Sequence, residues 1–154
     1  MESLLHRDPT HRDIWLKLVL AIPVTAILIL AFVYLTDNDS QAAYEILAIV
    51  AVIVIVMWLI IPRQYLILED RLKIVLGGPF SFSIPFNTIK FARIPKGTTF
   101  GVNFPSSLSS KHVVEIVRNR RLNVTITPND RDLFMKTMEK ALSDWKTYQN
   151  RGTR

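Results

Sequence analysis

The chain has 154 residues, is 49% hydrophobic with a mean hydropathy of +0.24, carries a formal net charge of +6 and contains no cysteine. The missing cysteine excludes disulfides, thiolate zinc sites and a cysteine nucleophile. The apolar content is concentrated before Pro62, so the rest of the chain suits one modest hydrophobic core and no more.

Residues 1–14 are polar, and the tripeptide His6-Arg7-Asp8 recurs as His11-Arg12-Asp13. The same letters occur in kinase catalytic loops, but no other kinase signature surrounds them. A short cytoplasmic segment at the membrane surface is expected.

Two apolar stretches follow, residues 16–35 and 42–61, separated by Thr36-Asp37-Asn38-Asp39-Ser40-Gln41. Each has the roughly 20 residues a helix needs to cross about 30 Å of hydrocarbon. Residues 15–61 therefore read as a two-helix transmembrane hairpin. Arg7, Arg12 and Lys17 precede or open the first stretch, and the connection has no Lys or Arg. Residues 62–154 carry 16 Lys and Arg against 7 Asp and Glu, about +9. The positive-inside rule then puts both termini in the cytoplasm and the Asp37/Asp39 connection outside, as in a multi-pass plasma-membrane protein. Trp15 and Trp58 suit interfacial belts, and Arg63 suits the inner interface. Lys17 and Glu45 lie near the ends of their stretches, which argues against an intramembrane proton relay. Pro23 is expected to kink the first helix. The alternative for the first stretch is a leader cleaved near Ser40-Gln41-Ala42, but its apolar run exceeds a signal core of roughly 7–15 residues.

After Pro62 the period changes from helical to alternating. Arg63–Glu69, Arg71–Leu76, Phe80–Phe86 and Ile89–Ile94 read as four short strands of an antiparallel meander, with turns at Glu69-Asp70-Arg71 and Gly77-Gly78-Pro79. A short strand is expected at Phe100–Phe104 within a long loop, then a hairpin of His112–Val117 and Leu122–Thr127. Thr127-Pro128-Asn129-Asp130 combines a capping hydroxyl, a proline and an acid, and predicts a helix start. Leu133, Phe134, Met138, Ala141, Leu142 and Trp145 then form one apolar stripe, expected to cover an open end of the sheet. From Lys146 the chain is polar and is expected to fray.

Meander, hairpin and final amphipathic helix follow the order of a pleckstrin-homology (PH) domain. The residues that carry the likeness are Tyr65–Ile74, Ile84-Pro85-Phe86-Asn87-Thr88-Ile89 and Val124–Phe134. Over about 65–142 the chain resembles bacterial PH-like domain membrane proteins. The resemblance implies an α+β protein: a transmembrane hairpin followed by a PH-like antiparallel β-sandwich or barrel, capped by a C-terminal helix. The domains are then 1–14, the hairpin 15–61, the PH-like unit 62–146 and a polar tail 147–154. It also implies a prokaryotic membrane and no shared catalytic activity.

The residues themselves point away from an enzyme. No HExxH, GxSxG, P-loop or dinucleotide fingerprint is present, so no catalytic, metal-binding or cofactor-binding residue is assigned. Two basic groups, Arg118, Arg120 and Arg121 at one hairpin and Lys90, Arg93 and Lys96 as a second, are the candidate contacts for anionic lipid headgroups, with a role in keeping a membrane-side domain soluble and oriented as the competing reading. The acidic Glu69-Asp70 turn departs from phosphoinositide-binding relatives, which usually place basic residues around that first hairpin. Phe100, Phe104 and Leu108 are the candidate partner contacts, with packing onto the domain as the competing reading. A basic balance without a nucleic-acid motif argues against DNA or RNA. The leading expectation is a non-enzymatic, membrane-anchored interaction module that binds a protein partner or another copy of itself. The alternatives are peripheral sensing of anionic lipid and a small accessory subunit of a membrane complex.

Overall fold

The computed structural model describes residues 3–10, 14–36, 40–95, 97, 100–104 and 110–152. The alternating segments past Pro62 become strands β2 (Gln64–Leu68), β3 (Arg71–Val75), β4 (Ser81–Pro85), β5 (Ile89–Arg93), β6 (Gly101–Asn103), β7 (Val114–Arg118) and β8 (Asn123–Ile126). They are preceded by strand β1 (Leu4–Pro9) and the helices α1 (Ile14–Thr36) and α2 (Ser40–Ile60), and followed by α3 (Arg131–Gly152). The α+β class and the capping C-terminal helix are as expected. Two four-stranded sheets form, ordered β1-β2-β3-β4 and β5-β7-β8-β6.

Several features differ from the expectation. The N-terminal segment is a strand: β1 pairs antiparallel with β2, from Leu4 opposite Leu68 to Pro9 opposite Gln64. Its partner lies on the far side of both apolar helices, and only Asp8 of β1 is fully buried, so no local alternation betrays it. Second, β6 pairs parallel with β8 rather than antiparallel. Third, α3 begins at Arg131, where the Asp130 carboxylate accepts the Leu133 N–H at 3.0 Å and caps the helix. Thr127 and Pro128 are used elsewhere: the Thr127 N–H donates to the Tyr65 hydroxyl at 3.2 Å, and Pro128 bridges Thr10. The expected frayed end is helical as far as Gly152.

The core lies between the sheets and under α3. Tyr65, Ile67, Leu72, Ile74 and Ile84 from the first sheet meet Val114, Ile116, Val124 and Ile126 from the second. Phe134, Met138, Ala141 and Leu142 of α3 complete it, and the Phe134 ring stands edge-on to Tyr65 at 6.2 Å. Leu133, expected on the apolar stripe, is exposed.

The helices α1 and α2 pack together, with Ala31, Ala43 and Val50 buried. Their other large apolar side chains, such as Ile29, Phe32, Ile49 and Ile55, are exposed. Among the residues whose side chains are described, one helix, Ser40–Ile60, is long and apolar enough to cross a membrane, and the apolar part of α1 spans Ala21–Thr36.

The hairpin is fastened to the domain at two places. The Gly77 N–H donates to the Leu59 carbonyl at 3.2 Å, so the β3–β4 turn sits on the end of α2. A Cβ on Gly77 would stand 1.8 Å from the Trp58 carbonyl oxygen, so only glycine fits this approach. The second fastening is at the end of β1. The Thr10 hydroxyl donates to the Pro62 carbonyl at 3.2 Å, and the Asn129 N–H donates to both the Pro9 carbonyl and the Asp8 carboxylate.

Candidate functional site

The register of β2 and β3 sets the polarity of the domain. Arg63 and Val75 lie beside the end of α2, joined by the Arg63 N–H to the Val75 carbonyl at 2.8 Å. The Glu69-Asp70 turn lies at the opposite end of the same hairpin, about 16 Å away along a five-residue strand. The Phe86 N–H donates to the Asp70 carbonyl and the Asn119 N–H donates to the Thr88 carbonyl. These bonds put the β7–β8 turn at the same end of the domain as the Glu69-Asp70 turn, with Phe86–Thr88 between them.

A groove of about 580 Å³ opens at that end. It lies between β1, the β2–β3 turn and the last turns of α3. Leu5, Trp145 and Tyr148 form its apolar walls, and Glu69, Asp70 and Asp144 supply its charge. The Trp145 ring stands edge-on to Phe86 at 6.4 Å and 81°, which fixes it as a wall. Tyr148 follows three residues later on the same helical face and is 76% exposed. Asp70 is held by a two-pronged contact to Arg71 at 2.8–3.1 Å, and this bond keeps its carboxyl below the ordinary value. Glu69 and Asp144 have no ion pair among the described residues.

The candidate basic contacts fall into different environments. The Arg93 guanidinium donates to Glu115 at 2.6 Å, and Glu115 also accepts from the Asn123 amide at 2.8 Å. The Arg93 bond, seconded by Asn123, lowers the Glu115 pKa against the opposing effect of burial. Arg93 is thus tied to its own sheet. Lys90 sits in the β5 irregularity opposite β7, where Ile89 faces Arg118, and its ammonium lies 5.9 Å from the Phe91 ring. Pairing of β5 with β7 sets buried Ile89 opposite Arg118, and the adjacent Lys90 is exposed. Arg118 is half-buried, and among the described residues its Nε has no hydrogen-bond partner. Burial, and then the nearby Arg121 charge, lower its pKa. Arg120 and Arg121 are exposed in the turn, Arg120 with φ of 53°. Lys96 lies outside the described residues.

The candidate apolar contacts also separate. Phe104 packs on the core with its ring 5.6 Å from Phe82, whereas Phe100 is 86% exposed. Leu108 lies outside the described residues. None of the groove residues was among the sequence candidates. The acidic β2–β3 turn and the Trp145/Tyr148 spacing were the available signals, but β1, which closes the groove, gave none.

Comparison with known proteins gives one match. The family described as bacterial PH domain matches residues 63–142, just over half of the chain. No curated protein and no solved structure matches. The matched region starts at the end of α2 and covers β2 to β8 and most of α3, so β1 is an addition from the far side of the hairpin. With two sheets closed by a C-terminal helix over that same region, the chain belongs to the bacterial PH domain family.

Proposed function

We propose that the protein is a two-span, non-enzymatic interaction module whose PH domain is held at the cytoplasmic face by the α1–α2 hairpin. One observation carries this reading. The strand before α1 is hydrogen-bonded to the strand after α2, in register from Leu4–Leu68 to Pro9–Gln64. Both ends of the hairpin must then lie on one side of any membrane that it enters. If α2 crosses, α1 crosses too. At 23 residues α1 is about 34 Å long, enough to span. The excess of Lys and Arg in residues 62–154 supports the cytoplasmic side.

A protein partner is favoured over anionic lipid. Arg93 is neutralised by Glu115, and the Arg118–Arg121 turn lies at the end of the domain away from α2, the end that carries the Glu69-Asp70 turn. The strand length of about 16 Å exceeds the screening length of roughly 8 Å at physiological salt.

The absence of native cysteine allows a direct test. Single Asn38→Cys and Ser143→Cys variants in intact cells are treated with a membrane-impermeant maleimide. Labelling of residue 38 from outside, and of residue 143 only after permeabilisation, supports the reading. Labelling of both from the same side overturns it.

A further inference from the structure

We propose, resting on the interaction-module reading, that the groove between β1 and the end of α3 docks an extended segment of a partner protein that carries arginine or lysine. Charge complementarity is the first argument. Residues 62–154 are strongly basic, yet among the described residues no Lys or Arg lines the groove and Glu69 and Asp144 on its rim have no ion pair. A local negative site on a positive domain selects a cation.

The walls narrow the class. Trp145 is fixed against Phe86, and Tyr148 stands exposed one turn on. Aromatic faces next to carboxylates suit a guanidinium or an ammonium on an apolar stem. A volume of about 580 Å³ exceeds what one cationic group needs and takes a side chain with its neighbours.

The strand beside the groove gives the segment its shape. β1 is the edge of its sheet. Its Pro9 end is occupied by Pro128 and Asn129, whereas among the described residues its Leu4 end has a strand on one side only. Leu5 lies at the irregularity between Leu4 and His6 and faces the groove. A segment laid along Leu4–His6 pairs its backbone with the open edge and sends alternate side chains into the groove.

The test uses the full chain in maltoside micelles. The probe is a fluorescein-labelled pentapeptide of alternating valine and arginine, compared with its citrulline counterpart by anisotropy at low salt. The proposal expects the arginine peptide to bind at least about tenfold more tightly. It expects Glu69→Lys and Asp144→Lys each to weaken binding by about tenfold and Arg120→Ser to change it less than about twofold, with unfolding temperatures unchanged. Equal binding of the two peptides, or binding unaffected by Asp144→Lys, overturns the proposal. Displacement of the peptide by tetramethylammonium at equal concentration also overturns it, by showing a small-cation site. Each of these failures leaves the maleimide result intact, so failure of the groove and failure of the anchored module are told apart.

Discussion

Replacing Gly77 by alanine tests how the domain is joined to its hairpin. The added Cβ would lie 1.8 Å from the Trp58 carbonyl oxygen, 2.7 Å from the Trp58 carbonyl carbon and 3.0 Å from the Leu59 Cα. All three are backbone atoms at the end of a helix, so a rotamer change cannot relieve the contact. The β3–β4 turn must move by more than 1 Å to restore a normal separation, which breaks the Gly77–Leu59 hydrogen bond. Overpacking costs about 1–3 kcal/mol and the lost bond about 1 kcal/mol, together roughly 2–4 kcal/mol. For a domain of this size that lowers the unfolding temperature by about 10 °C or more. The assay is near-ultraviolet circular dichroism of the full chain in maltoside micelles during heating, with Ser81→Ala at the exposed start of β4 as control. Unchanged unfolding of Gly77→Ala would refute the docking described here.

Other perturbations probe the remaining joints. Asp8 is buried, and burial raises its pKa above the ordinary 3.8, against the backbone N–H groups of Asn129 and Asp130 and the nearby His6. Its ionised form is therefore the costly one in the fold, and the stability linked to it declines as pH rises from 3.8 through the raised value. Asp8→Asn keeps an acceptor for Asn129, so wild type should gain stability relative to this variant as acid is added, as read in parallel melts. Glu115 has the opposite sign: its lowered pKa contributes stability above the ordinary 4.5 that is lost as pH falls through the lowered value. Glu115→Gln should cost about 1–2 kcal/mol at neutral pH, discounted for the exposed Arg93, and the gap should close in acid. Phe134→Ala opens the core beneath α3 and should cost about 3–5 kcal/mol in denaturant titration. Asp130→Ala removes the helix cap and should cost about 1 kcal/mol in the same assay.

Much of the domain was legible because its signals are local. In β3 the burial alternates residue by residue, and the glycine pair and the Glu69-Asp70 turn delimit it. The buried residues Phe134, Met138, Ala141 and Leu142 recur at helical spacing within one segment. The misses have a common physical origin in non-local partners. β1 shows no alternation, since five of its six side chains are exposed or half-buried and its pairing lies beyond both apolar helices. Thr127 and Pro128 carry helix-start chemistry, yet Tyr65 and Thr10 claim them and Asp130 caps instead. The helix past Trp145 lacks a buried stripe, so no period marked it. β6 has only three residues, too few to announce a parallel pairing. The groove draws on β1, a turn and the end of α3, and no single stretch of sequence contains it.

The central claim is that the N-terminus completes the domain across the hairpin, and disulfide trapping tests it most directly. In the cysteine-free chain, Arg7→Cys and Leu66→Cys sit directly opposite in the β1–β2 register, and Cα atoms in such a pair lie within disulfide range. Mild oxidation of the full chain in membranes should join residue 7 to residue 66, detected by mass spectrometry. It should not join residue 7 to a cysteine at Lys73, one strand further on. No link between 7 and 66, or equal linking of 7 to 66 and 73, would contradict the account.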